Sequence, residues 1–104
     1  MKLKEGSVLY VRTDYAIEGK EAAYQDITDS VAYLQGLASQ RYLLAGVLGD
    51  IETQAIDGGL AVYEAKDLEE AKKLAQEDPL ISRGFYRAEV RKWNIMILPQ
   101  EDSE

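Results

Sequence analysis

Neither cysteine nor histidine occurs anywhere in the 104-residue chain. Without cysteine there is no disulfide framework, no thiol nucleophile and no thiolate metal ligand. Without histidine no side chain has an ordinary pKa near neutrality, and the commonest general base and zinc ligand are missing. Serine triads built on histidine, Cys-His dyads and histidine zinc sites are therefore excluded. Any acid–base chemistry falls to a carboxylate, a lysine of shifted pKa or a tyrosine. Only hard, oxygen-bound cations remain as metals; no two acids stand at a spacing that predicts a metal site, and no cofactor is implied. Long apolar runs are absent too. No segment approaches the roughly 20 residues of a membrane span, and Met1-Lys2-Leu3-Lys4-Glu5 lacks the roughly 7–15-residue apolar run of a signal peptide. A cytoplasmic protein without a membrane partner is expected.

Positive charge is scarce. Twelve basic side chains face nineteen acidic ones, for a net charge of −7. Such a surface repels phosphate backbones unless basic residues are concentrated. The only cluster is Arg83, Arg87, Arg91 and Lys92, diluted by Glu89 between Arg87 and Arg91 on one strand face. Nucleic acid is not an expected partner.

What is present reads as one domain over residues 1–104, since a single core serves up to about 250 residues. Its core spans about residues 7–97, and the acidic stretch 98–104 reads as a disordered tail. Residues Ser7–Thr13 alternate as a first strand, with Leu9 and Val11 on one side and Val8, Tyr10 and Arg12 on the other. From about Lys20 to Gln40, Ala23, Ile27, Val31, Leu34, Leu37 and Ala38 fall at helical steps. Tyr42–Leu48 forms a second strand, Gly49 through Gly59 a loop, and Leu60–Ala65 a third strand. Asp67 caps a second helix, with Glu70 reaching back three residues later, and Leu68, Ala71, Leu74 and Ala75 form its buried face. That helix stops before Pro79, whose ring disfavours helical geometry in Asp78. A fourth strand covers about Phe85 to Ile97.

The order is β-α-β-β-α-β, an α+β ferredoxin-like arrangement with a four-stranded antiparallel sheet and two helices on one face. The other face then needs an explanation. A half-solvated antiparallel strand alternates polar and apolar residues, yet Tyr42–Leu48 and Leu60–Tyr63 carry no charge at all. Strands apolar on both sides require cover on both sides. A second copy packed sheet to sheet is the economical cover, so a homodimer is expected, with a standard interface of roughly 1,200–2,000 Å².

Six short segments, in order, resemble the YciI-like family of small dimeric α+β barrel proteins. They are Ala32-Tyr33-Leu34, Leu43-Leu44-Ala45-Gly46, Gly58-Gly59-Leu60, Leu68-Glu69-Glu70-Ala71, Asp78-Pro79 and Val90-Arg91-Lys92-Trp93-Asn94. Together they cover about Val8 to Ile97. The resemblance implies a fold similar to muconolactone isomerase-like and antibiotic-monooxygenase-like barrels. A few members are tied to breakdown of chlorinated aromatic compounds, with a histidine and an aspartate proposed as an acid–base pair. The family's histidine position falls at or near Ser30 here, and no histidine replaces it. The aspartate matches Asp78.

On that basis a small-molecule pocket is expected between helices and sheet, lined by Tyr10, Tyr33, Leu44, Asp78 and Phe85, with Ser30 beside it. Asp78 has two readings. One is a general acid or base, making the protein a lyase- or hydrolase-type enzyme acting on a small aromatic acid. The other is an Asp-Pro turn whose carboxylate holds nearby backbone N–H groups, leaving a non-catalytic binding or accessory protein. Tyr33 can donate to a developing oxyanion, whereas Ser30 without a base is a weak nucleophile; both can equally belong to a solvated helix face. Arg83, Arg87 and Arg91 either steer an anionic ligand or pair with surface acids.

Overall fold

The alternating and helical patterns fold into seven elements: β1 (Val8–Ala16), α1 (Tyr24–Ala38), β2 (Leu43–Asp50), β3 (Ala55–Tyr63), α2 (Leu68–Gln76), α3 (Pro79–Ser82) and β4 (Tyr86–Asn94). The computed structural model describes residues 6–100. The strands form one antiparallel sheet in the order β2-β3-β1-β4, which is the ferredoxin-like α+β topology. No helix among the described residues is long and apolar enough to cross a membrane.

Register fixes which strand face meets the helices. Tyr10 lies opposite Tyr63, Arg12 opposite Ala61 and Asp14 opposite Gly59. Tyr10, Ala61 and Tyr63 pack with Ala71 of α2, joined by Leu43, Leu74 and Val90. Because side chains alternate along a strand, Tyr10, Arg12 and Asp14 all look toward the helix layer. Val11, Leu60 and Val62 look the other way, where with Trp93, Arg91 and Lys92 they line a shallow groove on the helix-free face. Leu44, Leu48, Leu60 and Trp93 are all exposed in the single chain.

Several boundaries differ from the sequence reading, each for a local reason. The expected loop from Gly49 to Gly59 is instead a tight hairpin. β2 runs on to Asp50 and β3 starts at Ala55, separated by Ile51–Gln54. The Asp50 carboxylate accepts from Glu52 N at 2.9 Å, and Gln54 N donates to Ile51 O at 3.1 Å. Gly49 adopts φ of +113°, and a Cβ there would lie 2.1 Å from Ala55 O, so glycine permits the strand irregularity between Leu48 and Gly49. Gly58 likewise lies inside β3, where a Cβ would meet Asp14 O at 2.6 Å. These glycines allow close strand approach rather than marking a loop.

The first helix begins at Tyr24, not Lys20, because Asp26 reaches back to accept from Ala23 N at 2.9 Å. Asp67 caps α2 as expected, accepting from Glu70 N at 2.9 Å. Glu70, however, accepts from Lys66 N at 2.6 Å, one residue before the cap. Within α2, Ala71 and Ala75 are buried while Leu68 stays exposed. Asp78 does not merely end α2. It caps the additional one-turn helix α3, with Pro79 at its first position, where a missing N–H costs nothing. Regular strand geometry in β4 spans Tyr86–Asn94, although Ile95 still exchanges bonds with Gly6 and Ser7. Of the expected tail, residues 98–100 have no regular structure and 101–104 lie outside the described residues.

Candidate functional site: a cavity between the first helix and the sheet

The apolar stripe of α1 is not sealed into a packed core. Ile27 and Val31 remain exposed, and Ser30 is the helix's one buried residue among those described. The stripe faces β2 and β3 across a cavity of about 540 Å³. Its walls include Ile27, Val31 and Leu34 from α1, with Leu43, Val47 and Ile56 from the hairpin strands. Small residues keep it open: Ala45, Gly46, Gly58, Gly59 and Ala61 all border the space. Its polar lining comprises Arg12, Asp14, Ser30, Gln35 and Tyr86.

Arg12 is the centre of that polar floor. It is only 3 % exposed, so its charge requires partners. Nε donates to Asp14 Oδ1 and Nη2 to Asp14 Oδ2, both at 2.8 Å, a bidentate pair. Nη2 also donates to Asp78 Oδ2 at 2.9 Å. Burial works against the charged guanidinium. The hydrogen bonds and charge of Asp14, joined by those of Asp78, outweigh it and hold the Arg12 pKa above its ordinary value. Asp78 is fully buried, and its Oδ1 accepts from Leu80 N at 2.9 Å. Each Asp78 oxygen therefore has a fixed partner, one capping α3 and one anchoring Arg12.

Ser30, on α1, borders the same cavity as Arg12. It is 3 % exposed, and its hydroxyl has no hydrogen-bond partner among the described residues. Thr28 on the same helix does satisfy its hydroxyl, on Tyr24 O at 3.0 Å, so the open Ser30 hydroxyl is a local choice of geometry.

The structure brings some expected site residues together and separates others. Ser30 lines the cavity, and Leu44 borders it while its register opposite Val62 turns its side chain to the helix-free face. Tyr10 is buried in the core beside Tyr63. Tyr33 turns toward α2 and donates to Leu74 O at 2.6 Å; burial first, then the charges of Glu77 and Asp78, push its phenol up to about 12. Phe85 is half-buried between α3 and β4. Asp78 lies behind Arg12 rather than in the lining. Arg83 pairs with Asp26 at 2.8 Å and Asp29 at 3.0 Å, and Arg87 pairs with Glu89 at 3.4 Å while resting over the Tyr15 ring. Arg91 lines the groove on the helix-free face. Among the described residues no group of three or more carboxylates stands together as a cation site.

Arg12 and Asp14 were not singled out by sequence reasoning. The available signal was their spacing. Residues i and i+2 on a strand share a face, and Tyr10, Arg12 and Asp14 share the one that the helices cover.

A family model for the YCII-related domain matches residues 8–94. No curated protein sequence matches the chain. Among solved structures, the chain is similar to 5-chloro-2-hydroxyhydroquinone dehydrochlorinase (TftG) from Burkholderia phenoliruptrix AC1100, solved in complex with 2,5-dihydroxybenzoquinone. The superposition has a TM-score of 0.68 at 18% identity and covers 82% of this chain and 92% of that one. The strand order, the helix layer and a family match from Val8 to Asn94 agree, and the chain belongs to the YCII-related domain family.

Proposed function

We propose that the protein is a cytoplasmic homodimer that binds a small, largely apolar, ring-sized molecule in the cavity between α1 and the sheet of each protomer. The observation that carries this reading is the cavity itself. At about 540 Å³ it falls within the roughly 300–1,000 Å³ of small-molecule sites, which are mostly apolar with a few converging polar groups. Apolar walls with a few polar side chains among them, the paired Arg12 and Asp14 and the Ser30 hydroxyl included, fit that description. The ligand in the TftG structure, a single oxygenated ring, is of a size consistent with it. The homodimer is supported by the apolar helix-free face, where Leu44, Leu60 and Trp93 stand exposed around Val11 and Val62. An uncovered patch of that kind marks an interaction surface. A cysteine-free chain needs no oxidising compartment, which accords with the cytoplasm.

A second reading, lyase- or hydrolase-type turnover of a small aromatic compound, is favoured by the continuous chain Asp78–Arg12–Asp14. It links the buried Asp78 carboxylate to the cavity. In this reading Asp14 is the group within reach of a ligand and Asp78 is a positioning residue.

Binding is tested by calorimetry and thermal melts with a panel of one-ring compounds of different charge, using the natural chain and Ala45→Phe. Ala45 is exposed on the cavity side of β2, so phenylalanine there fills the space without overpacking a core. A ligand at one hundred times its Kd stabilises the fold by about 2.7 kcal/mol. Binding by the natural chain that Ala45→Phe abolishes is the expected result. Failure of every compound, or equal binding by the filled variant, overturns the reading.

A further inference from the structure

The polar floor also says what kind of ring compound fits, an inference that rests on the binding reading above. Arg12 looks at first like an anion-binding residue for a carboxylic acid. The geometry argues otherwise. Of its five N–H donors, three are already committed: Nε to Asp14 Oδ1, and Nη2 to Asp14 Oδ2 and Asp78 Oδ2. One guanidinium against two carboxylates leaves this cluster with one formal negative charge. A carboxylate entering beside it meets an already outnumbered cation and lies next to the Asp14 oxygens. Beside largely apolar walls that repulsion is screened less than in bulk water.

What the floor leaves open is complementary. Arg12 Nη1 has no partner among the described residues and offers two donors. The Ser30 hydroxyl, on a residue that is itself buried, is equally without a partner among the described residues and can donate or accept. Each Asp14 oxygen accepts one bond from Arg12 and has a second lone pair to offer. Asp14 Oδ2 lies 3.5 Å from the position a Cβ would take on Gly59, which borders the cavity. Arg12 donors and Asp14 acceptors thus stand side by side in the cavity lining, and the Ser30 hydroxyl borders the same space.

We propose that the cavity selects an uncharged ring compound that presents a hydrogen-bond acceptor beside a donor, such as an amide or a hydroxy-carbonyl group, and discriminates against carboxylic acids. The acceptor oxygen lies toward Arg12 Nη1 and Ser30, and the donor toward Asp14. The small aromatic acid expected from the sequence is thereby replaced by a neutral analogue of the same size.

Benzamide and benzoate make the test, since they share shape and differ in charge and in the added donor. Calorimetric titration of the natural chain is expected to show benzamide binding at least tenfold tighter than benzoate. Asp14→Asn removes the excess negative charge and is expected to bring the two within a few-fold, by weakening benzamide and strengthening benzoate. Ser30→Ala is expected to weaken benzamide several-fold while leaving benzoate the poorer ligand. Should Asp14→Asn fail to fold, the benzamide-to-benzoate ratio of the natural chain and the Ser30→Ala titration decide alone. Benzoate equal to or tighter than benzamide in the natural chain overturns the selectivity while leaving the cavity a binding site. Binding of neither compound, together with failure of every compound in the broader panel, removes the site and the selectivity with it.

Discussion

Replacing Arg12 by methionine tests whether the buried ion cluster holds the floor of the cavity in place. Methionine keeps much of the apolar stem and removes the charge, stranding Asp14 and Asp78. The two carboxylates respond differently. The Asp14 side chain is 16% exposed and that of Asp78 0%, so water reaches the first and not the second. Removing one partner of a buried ion pair costs about 3–5 kcal/mol, because the other charge remains desolvated. Since only Asp78 is fully cut off from water, a value near 3 kcal/mol is expected. With urea slopes of about 1–3 kcal/mol/M for small domains, the unfolding midpoint falls by about 1–3 M. The double variant Arg12→Met/Asp78→Asn supplies the control. Asparagine keeps an oxygen for Leu80 N, the bond that caps α3, and removes the stranded charge, so it recovers about 1–3 kcal/mol. The assay is urea unfolding followed by circular dichroism at one fixed protein concentration, as the proposed dimer demands. A loss below about 1 kcal/mol for Arg12→Met, or a further loss on adding Asp78→Asn, refutes the ion-cluster account.

Three other outcomes follow from separate parts of the fold. Val62→Lys, on the helix-free face, is expected to convert the proposed homodimer to a monomer of 11.6 kDa in sedimentation at micromolar concentration; a natural chain that already sediments at that mass removes the dimer. Gly58→Ala places a Cβ 2.6 Å from the Asp14 backbone oxygen and is expected to lower stability by about 1–3 kcal/mol, as forced overpacking does; an unchanged melting temperature contradicts the close strand approach. Burial, before any other cause, pushes the Tyr63 phenol up to about 12, as it does Tyr33. A raised folded-state value means the contribution is fully present below the unfolded value of 10.0 and is lost as pH rises toward about 12. Absorbance titration should find phenols still protonated at pH 11 in the folded chain, one fewer in Tyr63→Phe; ionisation of all seven tyrosines by pH 11 with native dichroism contradicts it.

The sequence pattern carried the topology because each element announces its period. Val8, Tyr10 and Arg12 alternate with Leu9 and Val11, and α1 repeats its apolar residues at steps of three and four. The hairpin was less legible. Gly49, Gly58 and Gly59 read as turn residues, whereas all three lie in strands, and at Gly49 and Gly58 neighbouring backbone leaves no room for a side chain. The site was legible in part. Asp78 stands out through its proline, and a turn whose carboxylate holds nearby backbone N–H groups is one of its two readings, but its bond to Arg12 joins residues 66 apart in sequence. Ser30 was found through the family's missing histidine, and only tertiary packing shows it buried and unpartnered at the cavity. Tyr10, Tyr33 and Phe85 were chosen as aromatic residues, and nothing in their local sequence distinguishes a core ring from a pocket wall.

Amide chemical-shift mapping of the isotope-labelled protein during titration with benzamide tests the central claim most directly. The account predicts saturable shifts at Ser30, Gly58, Gly59 and Ala61, which converge on the cavity floor, and no comparable change at Val62 or Trp93 on the opposite sheet face. Shifts confined to that opposite face, or none at any concentration, contradict it.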